Sequence, residues 1–360
     1  MNRIPRTRAT GIALAFLLAA TAAMSFAGTT LSDRVYLKGK DEPTVRTVTE
    51  DDINGVKLGQ ISFRIDAVDR IEYADAPAAY RSAVLHQKQG RYEEAIQLYQ
   101  NALRSTTARK FWIGQYCLYA IAQCYLEMGE LDKAAAAFKE LVAKEPQTRF
   151  LPNAMLAAGR ILFEKQDYTG AVAAFDKLAG KGWEEWKYLA SLWKAKAHLA
   201  GKKYSEALAV AKAIISGSAA SKYPNIVIQA RSIEARVNVG QGKFEEAVKL
   251  LKDLIDDIAP AVAKEREAGT ETDMQRIEAQ CKNALGQCYL KKALKTKSDD
   301  DYRAARLAFL WTVVLYSNFH EERAEALYYG AKTFAKLGDA ERQKELETEL
   351  KELYPDAKFE

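Results

Sequence analysis

At positions 129–134 the sequence reads Gly129-Glu130-Leu131-Asp132-Lys133-Ala134, and variants of this motif recur along the chain from residue 76 onward. In each full copy an aromatic residue or Leu is followed three positions later by Ala. The other copies lie at 90–95, 167–171, 203–207, 242–247 and 301–305, with a degenerate copy at 338–340. The aromatic or Leu positions are 92, 131, 168, 204, 244 and 302, which gives spacings of 39, 37, 36, 40 and 58 residues. Recurrence at such a period is the signature of a repeat array.

The chemistry of the motif predicts a helical hairpin. Gly tolerates the left-handed backbone that ends one helix, acidic residues favour the N-terminal end of the next helix, and the small Ala lets the two helices approach closely. The repeat therefore resembles the tetratricopeptide repeat family. In the second unit the residues at the signature positions are Leu118, Ile121, Ala122, Tyr125, Gly129, Leu131, Ala134, Phe138, Leu141 and Pro146. The resemblance covers about residues 76–355 and implies a mostly α-helical solenoid of about seven hairpins, or fourteen helices, which serves as a binding platform.

The C-terminal end of the repeat array suggests a more specific resemblance, to two groups of envelope proteins. With Leu337-Gly338-Asp339 and Tyr354-Pro355 it is similar to periplasmic repeat proteins of the Tol-Pal-associated division-coordinator type and to the repeat lipoprotein of the outer-membrane barrel assembly machine. The chain departs from the second in having no cysteine before Cys117, and from the first in having no N-terminal coiled coil.

Residues 28–75 differ from the rest of the chain. Short segments alternate polar with apolar or β-branched residues, and turn-forming Gly, Asn and Asp separate them. The segments are 34–38, 44–48, 55–58 and 61–65. They predict four or five short strands in a small antiparallel sheet or SH3-like barrel.

The sequence therefore divides into five parts. Residues 1–27 are expected to be a signal peptide and 28–75 a β-rich module. Repeats 1–5 occupy 76–258, a kinked helical extension and loop occupy 259–273, and repeats 6–7 with a C-terminal cap occupy 274–360. The sixth unit carries an insertion around 295–300.

The N-terminal segment sets the expected location. Three arginines, at positions 3, 6 and 8, precede an apolar run, and Ser25-Phe26-Ala27 supplies small residues at a cleavage site. This pattern predicts export to the periplasm or secretion, and the alternative is an uncleaved N-terminal membrane anchor. Cleavage would remove three positive charges and no acid, so the net charge would fall from +5 to +2. That small excess, without any nucleic-acid motif, argues against DNA or RNA as a partner.

Composition and motifs give no sign of catalysis. Contents of 48% hydrophobic and 28% charged residues are those of a globular protein, and 20 Gly with 8 Pro in 360 residues favour long helices. No HExxH, GxSxG or phosphate-binding loop is present, so no catalytic, cofactor or metal residues are predicted. The four cysteines are expected to be buried thiols, and Trp183, Trp186 and Trp193 to be core residues.

A candidate binding groove emerges when the first helices of the units are aligned. Their ninth position, expected on the concave side, reads Gln123, Arg160, Lys196, Arg236 and Gln287. This basic ladder flanked by amides suits the carboxylates or carbonyls of an extended, acidic peptide. The alternative is that position nine simply faces solvent. Further groove candidates are Tyr116, Tyr119, Asn153, Phe163, Gln229, Asn283 and Tyr328.

The sequence thus predicts a non-enzymatic scaffold of the cell envelope that binds a protein or peptide in a concave groove. Two alternatives remain open. One is an adaptor of an envelope assembly or cell-wall machinery that docks through its outer surface. The other is an accessory subunit that positions a glycan or cell-wall hydrolase.

Overall fold

The computed structural model describes residues 32–105, 111–217, 222–268 and 273–355, together with 357 and 359. The segment expected to be a signal peptide lies outside the described residues. Across the described residues, none of the helices has both the length and the apolarity needed to cross a membrane.

Fourteen helices make up most of the described chain, arranged as a tetratricopeptide-like solenoid. Consecutive helices pack as antiparallel hairpins, and each hairpin packs on the next. In chain order the helices are α1 (Ala78–Lys88), α2 (Tyr92–Ser105), α3 (Ile113–Glu127), α4 (Leu131–Lys144), α5 (Leu151–Glu164), α6 (Tyr168–Ala179), α7 (Glu184–Ala200), α8 (Tyr204–Ser216), α9 (Pro224–Gly240), α10 (Phe244–Glu267), α11 (Asp273–Thr296), α12 (Asp299–Leu315), α13 (His320–Lys336) and α14 (Ala340–Leu353). The odd-numbered helices are the first helices of the seven hairpins.

Every turn within a hairpin contains one left-handed residue, two positions before the second helix begins. Four of these residues are the glycines of the motif, and the others are Gln166, Lys202 and Lys297, with φ of 62°, 58° and 60°. The next backbone N–H bonds a carbonyl five residues back in most of the turns, for example Glu130 N to Tyr125 O at 2.9 Å. This is the hydrogen-bond pattern of a Schellman helix end. The turn geometry is therefore constant even where the sequence is not glycine.

The two helices α10 and α11 are the longest, with 24 residues each. Helix α10 continues through Pro260, and its extension buries Ile258 and Val262. The extra length of α10 and α11 therefore accounts for the spacing of 58 residues between the motif positions 244 and 302. The insertion expected around 295–300 falls at the end of α11, which runs to Thr296, and at the turn of residues 297–298 before α12.

The β-rich module contains six strands in two antiparallel sheets. The strands are β1 (Arg34–Leu37), β2 (Thr44–Val45), β3 (Glu50–Asp52), β4 (Gly55–Leu58), β5 (Ile61–Phe63) and β6 (Val68–Glu72). Sheet one has the order β2-β1-β6 and sheet two the order β3-β4-β5. The sequence analysis missed β3 and β6, because acidic residues interrupt the alternation of apolar and polar positions there.

A buried polar cluster joins this module to the repeats. The carboxylate of Asp51 accepts hydrogen bonds from the hydroxyls of Tyr73 at 2.8 Å and Tyr116 at 2.9 Å. The guanidinium of Arg149 lies 3.4 Å from Asp51 and is only 8% exposed. Burial raises the pKa of Asp51, and Arg149 offsets this in part. The ring of Tyr73 stacks on Trp112 at a centroid distance of 4.2 Å.

A second attachment lies further along the array. Lys38, next to β1, forms an ion pair of 2.7 Å with Glu185 at the start of α7. Beside the first attachment, the N–H of Ile53 donates to the carbonyl of Gln147 at 2.8 Å. The β module therefore extends along the edge of the solenoid where the first helices of units two to four begin.

Candidate functional site

The inner side of the solenoid encloses a cavity of about 600 Å³. Residues from α5, α7, α9, α11 and α13 line it, so the first helices of five successive hairpins face one space. This volume is in the range of roughly 300–1,000 Å³ that is typical of ligand sites. The cavity is therefore the candidate functional site.

Three cations on successive first helices lie on one wall. Lys196 and Arg236 line the cavity. The guanidinium of Arg160 lies over the ring of Trp193 at 4.8 Å from its centroid, and the ammonium of Lys196 lies over the same ring at 4.6 Å. Two of the three side chains that share the ninth position of their units thus lie over one indole, and the charge of the third, Arg236, acts on Lys196.

The electrostatics of Lys196 reflect this crowding. Burial, together with the positive charges of Arg236 and Arg160, lowers the pKa of Lys196 from 10.5 to about 8. Its ammonium donates a hydrogen bond to the side-chain carbonyl of Gln229 at 3.0 Å. No carboxylate among the described residues lies within ion-pair distance of it. An incoming anion would supply the missing negative charge.

Carboxylates line other parts of the same cavity. Glu321, Glu322 and Glu325 belong to α13, and Glu164 stands at the end of α5. Partial burial raises the pKa of Glu164, and the charge of Glu321 adds to that rise. The solenoid therefore brings two acids from distant parts of the sequence within electrostatic range of each other.

The four glutamates Glu164, Glu321, Glu322 and Glu325 are called the acidic wall of the cavity. Amide side chains hydrogen-bond two of them. Asn283 donates to Glu325 at 2.9 Å, Gln287 donates to Glu325 at 2.6 Å, and Gln280 donates to Glu322 at 2.7 Å. Asn283 is 1% exposed. Its assignment as a ligand-contacting residue is corrected here, because it is buried beneath the wall and positions a glutamate.

The predicted site residues separate into groups. Five of them line the cavity directly, namely Phe163, Lys196, Gln229, Arg236 and Gln287. Tyr119, Asn153 and Gln123 lie outside the residues that line the cavity, and burial raises the pKa of Tyr119 while the side chains of Asn153 and Gln123 offset this in part. Tyr116 belongs instead to the buried cluster around Asp51, so its assignment to the groove is also corrected.

Tyr328 contacts the end of the chain. Its ring stacks on Phe359 at a centroid distance of 5.0 Å, and its hydroxyl donates to the carbonyl of Phe359 at 3.3 Å. Phe359 in turn lines the cavity. Tyr328 therefore reaches the site through a residue of the same chain.

Sequence reasoning missed two components of the site. Trp193 was expected to be a core residue, but it is only partly buried, and the cationic groups of Arg160 and Lys196 lie over its ring. The clue was its position, three residues before Lys196 on the same helix. No local sequence pattern predicted the acidic wall, because the curvature of the solenoid is what brings the end of α5 near α13.

The described residues include the side-chain types that can hold a metal ion or act as reactive thiols. They contain no group of three or more His, Cys, Asp or Glu side chains placed to hold a metal ion. All four cysteines are buried, and burial raises the pKa of Cys117 and Cys281 to about 12. Such thiols are poor nucleophiles at neutral pH.

Comparison with known proteins supports the tetratricopeptide repeat family. Two models of that repeat match residues 75–143 and 119–185. No curated protein matches the sequence significantly.

Solved structures share the fold at low sequence identity. A tetratricopeptide repeat protein from Parabacteroides merdae is 12% identical, with a TM-score of 0.54 over 77% of this chain and 92% of that one. The apo form of RapI is 12% identical, with a TM-score of 0.55 over 78% and 98%. NprR in complex with its cognate peptide NprX is 14% identical, with a TM-score of 0.50 over 77% and 78%. The described chain thus has the fold of a tetratricopeptide-repeat solenoid.

Proposed function

We propose that this protein is a non-enzymatic scaffold that binds an extended segment of a protein or peptide in the cavity, through anionic groups of the ligand. The observation that carries the proposal is the set of three cations on successive first helices, two of which lie over the ring of Trp193. Lys196 is partly buried and has no acidic partner in the described residues. An acidic side chain or a terminal carboxylate would compensate this charge and displace little else.

The shape of the site supports a peptide over a compact small molecule. The cavity runs along five parallel helices, and its amide side chains can hydrogen-bond a peptide backbone. NprR, which shares the fold, has been solved with its cognate peptide. The shape of the cavity and the NprR–peptide complex both favour an extended peptide bound along the inner face of the solenoid.

We also propose that the protein is exported, with residues 1–27 as a cleaved signal peptide, and that it acts in the cell envelope. The basic start, apolar run and small-residue cleavage site support this. N-terminal sequencing of the protein from fractionated cells tests it. A mature chain that starts at Gly28 in the soluble envelope fraction is expected, and an intact Met1 would contradict cleavage.

Charge reversal of the three cations tests the binding function. We expect Arg160→Glu, Lys196→Glu and Arg236→Glu together to reduce capture of acidic peptides at least about tenfold, since each good charge contact is worth on the order of 1 kcal/mol. Surface plasmon resonance against immobilised peptides measures the change.

A matched control carries three reversals on the second helices. Lys139, Lys177 and Lys252 are exposed residues of α4, α6 and α10. Their replacement by Glu changes the net charge equally and should leave capture intact. If both triple variants lose binding to the same extent, the effect is one of net charge and the proposed site is wrong.

One observation favours the adaptor alternative. The second helix of unit six, α12, exposes Leu307, Trp311 and Val314 on one side, and they are 63%, 41% and 70% accessible. Adjacent exposed apolar residues of this size often mark protein contacts. If Leu307→Ser with Trp311→Ser abolishes partner capture from envelope extract and the cavity variant does not, the outer surface is the docking site.

A further inference from the structure

The C-terminal segment folds back onto α13 after α14 ends. Its described residues are Tyr354, Pro355, Ala357 and Phe359. The ring of Tyr354 lies beside His320 at the start of α13, with the centroids 5.8 Å apart. The N–H of Ala357 donates to the carbonyl of Tyr354 at 3.1 Å, which forms a turn. Two residues later Phe359 contacts Tyr328, so the segment follows α13 from its first residue to its middle.

Tyr328, Tyr329 and Lys332 form the position that receives Phe359, and we call them the Tyr328 subsite. The rings of Tyr328 and Phe359 stack with centroids 5.0 Å apart, and the Tyr328 hydroxyl donates to the carbonyl of Phe359 at 3.3 Å. The ammonium of Lys332 donates to the same hydroxyl at 2.6 Å and lies 4.1 Å from the ring centroid. The ring of Tyr329 packs edge-on against Tyr328 at 5.0 Å. Stacking plus a hydrogen bond to a main-chain carbonyl is how such a groove would hold a separate peptide.

Phe359 lies in the cavity that is the proposed ligand site. Its side chain lines the same space as Lys196 and Arg236. That space has a volume of about 600 Å³, and one ligand of ordinary size fills a cavity of this kind. The C-terminal segment and an extended peptide along the inner face would therefore compete for the part of the cavity next to α13.

Phe359 is the anchor of the segment. Its side chain is partly buried, whereas Pro355 and Ala357 are exposed. One anchoring residue binds weakly by itself, but the short connection to α14 keeps its effective concentration at the subsite on the order of millimolar. The contact can therefore oppose a ligand and still be displaced by one.

We propose that the C-terminal segment is an internal competitor for the cavity: Phe359 occupies the Tyr328 subsite, and a peptide ligand binds by displacing it. This proposal rests on the proposed function and adds the regulation of the same site. Displacement of Phe359 leaves an aromatic position free. A ligand that has an aromatic residue in addition to its acidic group replaces the lost contact and is therefore preferred.

Two variants of the full chain test the competition. Phe359→Ala should bind acidic peptides about tenfold more tightly, the gain expected if the segment occupies the subsite about nine-tenths of the time. The matched control is Leu353→Ala, which removes an apolar side chain that is 53% exposed just before the segment, and it should bind like the unaltered protein. Surface plasmon resonance with acetylated and amidated hexapeptides that contain two Asp and one Phe measures the affinities. Circular dichroism confirms that each variant is folded.

The aromatic preference tests the subsite. Hexapeptides with two Asp and one Phe should bind the unaltered protein more tightly than hexapeptides with Ala in place of that Phe. Tyr328→Ala should remove the difference. Equal binding of the two peptides by the unaltered protein, or a difference that persists in Tyr328→Ala, would show that the ligand does not take the place of Phe359.

A fluorine probe follows the segment itself. With 4-(trifluoromethyl)phenylalanine in place of Phe359, stacking on Tyr328 should shift the fluorine NMR signal away from its position in the urea-unfolded chain. Saturation with the acidic hexapeptide should move the signal towards the unfolded position. Tyr328→Ala should do the same without peptide.

The outcomes separate the two proposals. If Phe359→Ala binds peptides no more tightly than the unaltered protein, or if a bound peptide leaves the fluorine signal in place, the internal competitor is ruled out and the peptide-binding function stands. If neither the unaltered protein nor Phe359→Ala binds any of the hexapeptides, the proposed function fails and the competitor fails with it.

Discussion

Lys196 shows how a single residue can oppose folding and favour binding. Its ammonium is held beside two arginines, and its pKa of about 8 lies below the ordinary value of 10.5. Between these two pH values the unfolded chain binds more protons than the folded chain. The free energy of unfolding therefore rises with pH across that window, and below it the folded protein retains an unfavourable charge. A residue retained at such a cost to stability is typical of a binding site.

The first prediction concerns Lys196→Met. Removal of the charge should stabilise the protein by on the order of 2 kcal/mol at pH 7 and weaken capture of acidic peptides. The rise in stability between pH 8 and 10.5 should become smaller. Urea denaturation at several pH values measures both effects. A loss of stability at pH 7 would show that the contact with Gln229 outweighs the repulsion from Arg160 and Arg236.

The sequence predicted the cations of the site better than the acids. Arg160, Lys196 and Arg236 occupy one position of a repeat frame, and the frame alone indicates which side of the helix they share. Glu321 lies far from Glu164 in sequence, and only the curvature of the solenoid brings the two together. Tyr116 was misplaced for a related reason, since nothing in the repeat pattern shows that the β module covers it.

At the scale of the helices, close packing between the two members of a hairpin limits side-chain size. A Cβ atom added to Gly159 on α5 would lie 2.4 Å from the ring of Phe175 on α6, and that ring is fully buried. Gly286 on α11 meets Phe309 on α12 in the same way, at 2.7 Å. These glycines are needed for space, unlike those of the turns, which are needed for backbone conformation.

The second prediction concerns this contact. Gly159→Ala should destabilise the protein by about 1–3 kcal/mol, because the added methyl group overpacks a filled core. Combination with Phe175→Leu should recover part of the loss, although Phe175→Leu alone is destabilising. Thermal unfolding of the two single variants and the double variant measures the coupling. Strictly additive effects would show that the hairpin relaxes around the extra methyl group.

The starts of the second helices were the strongest part of the sequence prediction, and the lengths of the longest helices were the weakest. Each motif copy marked the start of a second helix, because the turn chemistry is local. The 24-residue helices α10 and α11 were not foreseen in full. Pro260 indicated a kink and a loop, but burial of Ile258 and Val262 sustains the helix beyond it.

At the scale of the whole molecule, the β module depends on the repeats for its stability. Asp51 on the module and Arg149 on the array are both buried, Arg149 donates to the hydroxyl of Tyr116, and the hydroxyls of Tyr116 and Tyr73 donate to Asp51. Loss of one partner would leave a buried charge uncompensated, which is more costly than loss of the pair.

The third prediction concerns the buried contact between Asp51 and Arg149. Asp51→Asn should destabilise the module by about 3 kcal/mol, and addition of Arg149→Met should restore much of that stability. Hydrogen exchange followed by mass spectrometry should show faster exchange in residues 32–73 of the single variant and little change in α13. Equal acceleration in both regions would mean that the module and the distant repeats unfold as one unit.

The two attachments of the β module also fix the number of hairpins that can lie between them. Arg149 lies just before the third hairpin and Glu185 at the start of the fourth, and the module spans the distance between them. A hairpin added or lost between these points would carry Glu185 out of reach of Lys38. We therefore expect a hairpin inserted beyond α7 to leave both attachments intact, and one inserted between Arg149 and Glu185 to break the ion pair of Lys38.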